Sequence, residues 1–152
     1  MYSDAFDGDF VQGKIRNCSF SHIKGDGIDF SGSQVTVIQC SFSDIKDKAI
    51  SIGEGSQVTV ETVKIDRVSF GVVAKDLSQA TISECDITGA SIAGFSTYQK
   101  KKAFGPAKMK INDSDVLSSA KDFLVQEGST IWNNNTAIEP VPLDVDQLYS
   151  TP

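Results

Sequence analysis

The chain has 152 residues, of which 39% are hydrophobic, and its formal net charge is −6 at pH 7. This size predicts one domain, and the negative charge disfavours nucleic acid as a partner because the protein would repel phosphate groups. The sequence has no apolar run of the ~20 residues that a membrane-spanning helix requires. Its 14 Ile and 13 Val outnumber its 5 Leu. Because β-branched side chains favour strands, the composition predicts an all-β fold and excludes helical bundles and coiled coils.

A repeat of about 22 residues organises most of the chain. Successive repeats start 22, 23, 22 and 29 residues apart, at Gln12, Gln34, Gln57, Gln79 and Lys108. Each repeat contains three triplets that alternate inward, outward and inward, which is typical of short strands with one buried face. Stacked in register, the triplets form a first column (35–37, 58–60, 80–82, 109–111), a second column (18–20, 40–42, 63–65, 85–87, 114–116) and a third column (28–30, 50–52, 72–74, 95–97, 123–125).

The connections between the triplets predict a closed coil. Only two residues separate the first column from the second, so the chain must bend sharply there, and turns rich in Gly and Ser follow the third column. Three strands and three bends in each repeat describe one rung of a triangular coil. A single triplet cannot bury its inner face alone, so the rungs must stack in parallel at ~4.8 Å.

The repeat resembles the right-handed parallel β-helix family, the architecture of the pectin-lyase-like superfamily. The resemblance extends from about Phe6 to Ile131, and its marks are Asn-Cys-Ser-Phe at 17–20 and Gln-Cys-Ser-Phe at 39–42. It implies a right-handed coil of five to six rungs, the hand that parallel crossovers adopt in general. We expect a single domain with rungs over 4–131, an inserted loop over 98–107 and a C-terminal cap or tail over 139–152.

The two ends of the coil differ in sequence. The first triplet begins at Phe6 with no amphipathic helix before it, so the first rung is expected to expose unpaired backbone. Either the chain continues upstream in a longer bacterial protein, extracellular or in the cell envelope, or copies associate end to end through this rung. The first residues lack the basic and apolar regions of a signal peptide. At the other end, Pro140–Tyr149 is expected to fold over the last rung.

The three cysteines occupy equivalent positions of the second column. Cys18, Cys40 and Cys85 share this position with Val63 and Ser114, which is typical of a small core site. Cys18 and Cys40 would lie close enough for a disulfide, but their parallel Cβ vectors are unfavourable for one. We therefore expect free, buried thiols. The single histidine excludes a Cys/His zinc site.

Gly25-Asp26-Gly27-Ile28-Asp29 is the most suggestive motif for catalysis. It is similar to a segment of polygalacturonase-type glycoside hydrolases, and the resemblance implies a carboxylate pair for general acid and base catalysis. On this hypothesis Asp26 and Asp29 are candidate catalytic residues, and Asp7, Asp26 and Asp29 are candidate ligands for Ca²⁺. The family's second Gly-Asp-Asp, its Gly-His-Gly and its Arg-Ile-Lys do not occur downstream. Gly-Asp-Gly is also an ordinary turn sequence, and we favour that interpretation.

The insertion at 98–107 is the second candidate site. It joins Lys100, Lys101 and Lys102 to the aromatic residues Tyr98 and Phe104. Aromatic rings can stack on sugars while lysines bind carboxylates, so an acidic polysaccharide or cell-surface glycan is a candidate partner. The alternative is a solvated loop whose aromatic rings pack on the coil.

These observations favour a non-catalytic module, structural or polysaccharide-binding, without a required cofactor. A polysaccharide lyase, a glycoside hydrolase or a uronan-modifying enzyme is the first alternative, with Ca²⁺ as a candidate cofactor. An assembly module that associates rung to rung is the second.

Overall fold

The computed structural model describes residues 3–150 of the chain. In this range the protein contains thirteen strands and one short helix: β1 (Phe6–Asp9), β2 (Gln12–Arg16), β3 (Ser19–Ile23), β4 (Ile28–Ser31), β5 (Gln34–Ile38), β6 (Ser41–Gly53), β7 (Gln57–Lys75), β8 (Gln79–Tyr98), β9 (Lys108–Asn112), β10 (Asp115–Leu117), β11 (Phe123–Val125), β12 (Thr130–Asn133), β13 (Thr136–Ala137) and α1 (Val145–Ser150). The strands β6, β7 and β8 are long because each continues through a bend from one column into the next.

The strands form parallel ladders in the register that the repeat predicts. The first column consists of β2, β5, the starts of β7 and β8, β9 and β12, which gives six rungs in the described part of the chain. In the third column, Phe6 pairs with Ile28, which pairs with Ile50. Only β12 and β13 pair in an antiparallel manner among the described strands. The all-β coil of stacked rungs is therefore confirmed.

The sharp bend between the first and second columns has the same backbone conformation in successive rungs. One residue in each bend has a φ between 51° and 55°: Asn17, Gln39, Thr62, Glu84 and Asp113. Asn and Asp tolerate this left-handed conformation well, whereas Thr, Gln and Glu adopt it at some cost. The ladders on both sides of the bend impose this conformation, so the fold overrides the local preference.

Stacked apolar side chains fill the coil. Phe20 and Phe42 stack in the second column with ring centroids 4.8 Å apart and planes 8° apart. Buried serines accept hydrogen bonds from backbone N–H groups in the turn that follows the third column. The Ser33 N–H donates to Ser56 Oγ at 3.0 Å, and the Ser56 N–H donates to Ser78 Oγ at 3.1 Å. Since each rung covers the next, a modest share of hydrophobic residues is enough for a continuous core.

The C-terminal segment covers the side of the coil and only partly its end. Ile138 packs on the last rung, and Val141 forms a parallel bridge with Gln126. Pro140 and Pro142 flank Val141 and lack the N–H groups that would extend a strand. The chain then turns back, and α1 packs on the outer face of the third column. Within the expected C-terminal cap or tail over 139–152, Val141 thus lies beside the last rungs, whereas α1 packs on the outer face of the third column, which offers apolar residues.

The first rung also corrects one expectation about the cysteines. All three thiols are free, but Cys18 is exposed whereas Cys40 and Cys85 are buried. Cys18 lies in the outermost rung, where no neighbouring rung covers it. The thiols of the inner rungs are covered on both sides, and burial raises the pKa of Cys40 and of Cys85.

Candidate functional site

An acidic cluster lies at the bend that precedes the third column, at the N-terminal end of the coil. Carboxylate oxygens of Asp4, Asp26 and Asp29 lie within 4.8 Å of one another. The Asp26 N–H donates to Asp4 Oδ1 at 2.7 Å, and the Lys48 N–H donates to Asp26 Oδ1 at 3.0 Å. A backbone N–H of each rung thus binds a carboxylate of the preceding rung, which fixes the position of the cluster.

Two glycines make this close approach possible. A Cβ atom on Gly25 would lie 2.6 Å from Asp4 Oδ1, and one on Gly27 would lie 2.6 Å from the Ala49 carbonyl oxygen. The Gly-Asp-Gly sequence is thus required by the packing of adjacent rungs at this bend. This requirement supports the structural interpretation of the motif, whether or not the carboxylates also have a chemical role.

Asp26 and Lys48 form a buried pair of opposite charge. Asp26 is 7% exposed and Lys48 is 3% exposed. Burial raises the pKa of Asp26 to about 7, although the Lys48 ammonium opposes this shift. Burial lowers the pKa of Lys48, but the nearby Asp26, Tyr149 and Asp47 raise it by more, so the net direction is upward. The Lys48 Nζ also donates to Asp47 Oδ1 at 3.0 Å.

Asp29 and Lys75 are a second carboxylate and ammonium group on the outer face of the third column. Burial raises the pKa of Asp29, and the Lys75 ammonium partly offsets this effect. The pKa of Lys75 is lowered, first by burial and then by the positive charge of Lys48. The outer face of the third column therefore begins with a network of two carboxylates and two ammonium groups that are largely removed from water.

Tyr149 of α1 covers this network. Its ring lies 4.9 Å from Lys48 Nζ, 5.8 Å from Lys75 Nζ and 4.0 Å from Lys100 Nζ, measured to the ring centroid. These distances are within the range of cation–π attraction. The Tyr149 hydroxyl also lies 2.5 Å from that of Tyr98. The C-terminal helix is thus held by three ammonium groups and one phenol of the coil.

The inserted loop begins beneath this helix. Tyr98 is fully buried against α1, and burial raises the pKa of its hydroxyl. Asp76 fixes the loop backbone because its Oδ1 accepts the N–H groups of Lys100 and Lys101 at 2.8 Å each. Lys101 forms an ion pair with Glu54. The loop is therefore attached to the coil by defined contacts.

The structure places the predicted site residues as follows. Asp26 and Asp29 come together, with Asp4 as the third member of their cluster; Asp7 lies outside it, exposed at the position that pairs with Asp29. The three loop lysines are exposed, and Phe104 is half-buried. Tyr98 is covered by α1 and offers no face to a sugar, which agrees with the alternative interpretation that the aromatic rings of the loop pack on the coil.

Sequence reasoning overlooked Lys48, Lys75 and Tyr149. Lys48 could have been found from the repeat, because it stands two residues before Ile50 as Asp26 stands two residues before Ile28. Equivalent positions of adjacent rungs are neighbours, so the repeat itself places these opposite charges side by side. Nothing in the repeat indicates that a C-terminal tyrosine covers them.

A surface cleft of about 760 Å³ adjoins α1. Lys24, Lys46 and Lys48 contribute to its lining, together with the apolar residues Phe70 and Leu148. Tyr149 also lines the cleft, and its ring contacts Lys100 of the inserted loop. The cleft thus carries three lysines, with Asp47 as an acidic residue of the same lining.

Comparison with known proteins places the fold in a family. Within residues 3–150, no helix is long and apolar enough to cross a membrane. No curated protein and no solved structure matches the chain. The family model described as the right-handed beta helix region matches residues 6–139, which include every rung and the inserted loop. The chain is a member of the right-handed β-helix family.

Proposed function

We propose that this protein is a non-catalytic β-helix module that binds an anionic polysaccharide through Lys100, Lys101 and Lys102. The observation that carries the proposal is the exposure of these three consecutive lysines on a loop whose backbone is fixed by Asp76. A fixed loop loses little conformational entropy when a ligand binds. Lys24 and Lys46 line the cleft with Tyr149, whose ring contacts Lys100, and add two ammonium groups to this part of the surface.

The covered third column supports a non-catalytic role. A polysaccharide substrate would have to bring a glycosidic bond to Asp26 and Asp29, but Asp26 is 7% exposed. The outer face beyond these carboxylates is buried beneath the C-terminal segment. A binding module needs no open cleft there, and an exposed loop at the edge of this face is enough. We place the module outside the cell or in the cell envelope, where such polysaccharides occur.

Removal of the three loop lysines tests the proposal. The variant K100A/K101A/K102A is expected to lower affinity for polygalacturonate by about 30-fold, since exposed charges contribute about 0.5–1 kcal/mol each. The control variant K64A/K108A/K110A removes three exposed lysines elsewhere on the coil and changes the net charge equally. Retention on immobilised polygalacturonate, with a neutral glucan as the reference, measures the effect. Equal losses in the two variants, or no retention of the unmodified protein, would contradict the proposal.

A polysaccharide-cleaving or uronan-modifying enzyme is the second candidate function. The observation that favours it is the proximity of Asp26 and Asp29 together with a pKa of about 7 for Asp26, which suits general acid–base catalysis near neutral pH. In this hypothesis α1 must move away to admit the substrate. In this hypothesis the three clustered carboxylates Asp4, Asp26 and Asp29 are candidate ligands for Ca²⁺. Asp7, which lies in the same rung as Asp4, stays a predicted ligand.

A substrate screen separates the two functions. Neutral and acidic polysaccharides are incubated with the protein, with and without Ca²⁺, and the products are assayed for new reducing ends and for unsaturated uronates. A hydrolase should produce reducing ends and a lyase unsaturated uronates as well, and D26N and D29N should abolish the activity. No product under any of these conditions would reject a polysaccharide-cleaving enzyme and leave the binding hypothesis intact.

A further inference from the structure

The first rung has one unpaired side. Its strands β1, β2 and β3 pair only with β4, β5 and β6 respectively, so their other edges have no partner within residues 3–150. The apolar residues of this rung are incompletely covered: Phe6 is 39% exposed and Phe10 is 84% exposed. An edge of three strands around an exposed apolar cross-section is a template for another chain.

The opposite end of the coil does not offer a matching edge. There β13 pairs with β12 in an antiparallel manner, Ile138 covers the core, and Pro140 and Pro142 flank the single bridge residue Val141. A second copy cannot stack its first rung on this end as a regular parallel rung. Self-association must therefore join two first rungs, which a two-fold axis perpendicular to the coil achieves with antiparallel strands across the contact.

The charges on the first rung fit such a contact. Outward side chains of β1 are Asp7 and Asp9, those of β2 are Lys14 and Arg16, and all four are exposed. A two-fold axis through the turn between β1 and β2 places β1 of each copy on β2 of the other. An antiparallel alignment that puts Asp7 opposite Arg16 also puts Asp9 opposite Lys14, because the residues of each strand are two apart.

The inner faces fit the same alignment. Gly8 of β1 then lies opposite Ile15 of β2, so the inward positions of the two copies face one another across the contact. The exposed residues of β3 are Ser19, Ser21 and His22, and His22 lies beside Asp44 of its own chain, so this strand brings no pair of like charges together. If β1 met β1 instead, acid would face acid, and the basic residues of β2 would repel in the same way.

We propose that two copies of this chain associate through their first rungs, with β1 of each copy paired to β2 of the other. The dimer closes on itself, so association stops at two chains. It buries the exposed phenylalanines and provides hydrogen bonds for the free backbone edges. This proposal goes beyond glycan binding and does not depend on it, because Lys100, Lys101 and Lys102 lie on the inserted loop and take no part in the contact.

Charge reversal on one strand at a time tests the proposal. The full chain is expected to shift from monomer to dimer, and no further, as its concentration rises in sedimentation velocity. D7K/D9K places bases against bases, and K14D/R16D places acids against acids, so each variant alone should weaken the dimer by about 100-fold or more. Mixed together, the two variants should form a heterodimer, because each acidic strand then meets a basic one. Native mass spectrometry distinguishes the heterodimer from either parent.

Matched controls separate the contact from general charge effects. D86K/D115K and K108D/K110D make equal charge changes at exposed positions of other rungs and should dimerise like the unmodified chain. A chain that stays monomeric at the highest concentration would overturn the proposal. So would a series of higher oligomers, which indicates head-to-tail stacking, or a mixture of the two charge-reversed variants without heterodimer. A folded, heterodimer-forming pair also excludes misfolding as the cause of the single-variant losses.

Discussion

The outer faces of the first and third columns arise from the same repeat but meet different surroundings. On the first column, Thr59 is half-buried, and Thr81 and Lys110 are exposed. On the third column, the outward residues after the exposed Asp7 and the half-buried Asp29 are buried: Ser51, Val73, Ser96 and Leu124. The first face stays open, whereas the C-terminal segment covers the second and forms a separate apolar cluster there.

The difference teaches that an outward position in a β-helix is not necessarily a solvent position. Strand alternation determines whether a side chain points into the coil or away from it. Whether an outward side chain meets water depends on segments that the repeat does not describe. In this chain α1 converts one of the outer faces into a second core, with ionisable side chains at its N-terminal end.

The largest expected effect on the free energy of unfolding comes from placing an aspartate on the outer face of the third column, compared with one on the outer face of the first. In β7, Val73 and Thr59 are both outward. Val73→Asp is expected to lower the free energy of unfolding by about 3–5 kcal/mol, because it buries a carboxylate among apolar residues. Thr59→Asp should change it by less than about 1 kcal/mol, since this position contacts water. Urea denaturation of both variants measures the difference, and equal effects would show that α1 does not cover the third column in solution.

The columns themselves could be predicted from sequence because every rung repeats the same constraint. Val35, Val58 and Ala80 align in the sequence and pair in the structure. The acidic bend was predictable for the same reason, since Asp26 belongs to the repeat. A packed ring at Tyr98 was one of the two interpretations of the loop, but its cover by Tyr149 was not predictable, because that residue lies 51 residues away and outside any rung. The repeat determines the contacts between rungs but not how the C-terminal segment packs on them.

A smaller effect is expected from the residue that joins α1 to the charged network. Tyr149→Ala should cost about 2 kcal/mol, because it removes a half-buried ring and its contacts with Lys48 and Lys100. Tyr149→Phe keeps the ring and loses only the bond to the Tyr98 hydroxyl, so its cost should be about 1 kcal/mol. Thermal or urea unfolding gives both values. A larger loss for Tyr149→Phe than for Tyr149→Ala would contradict the described packing of α1.

The last expected effect is a change in the pH dependence of stability, which follows from the burial of Asp26 beside Lys48. The pKa of Asp26 is raised by burial from 3.8 to about 7, so between these values the folded protein binds a proton that the unfolded chain has lost. This group therefore makes the free energy of unfolding fall as pH rises from about 4 to about 7. Asp26→Asn keeps an oxygen that can accept the Lys48 N–H, but its side chain cannot titrate. The stability of D26N relative to the unmodified protein should therefore increase across this range.

Asp44→Asn is the control with the opposite sign. The hydrogen bond from Arg67 lowers the pKa of Asp44, so the stabilising contribution of Asp44 is lost as pH falls through that pKa. Urea denaturation at a series of pH values measures both slopes. A D26N difference that does not change with pH would show that Asp26 is accessible to water, and the third column would then resemble the first at this end.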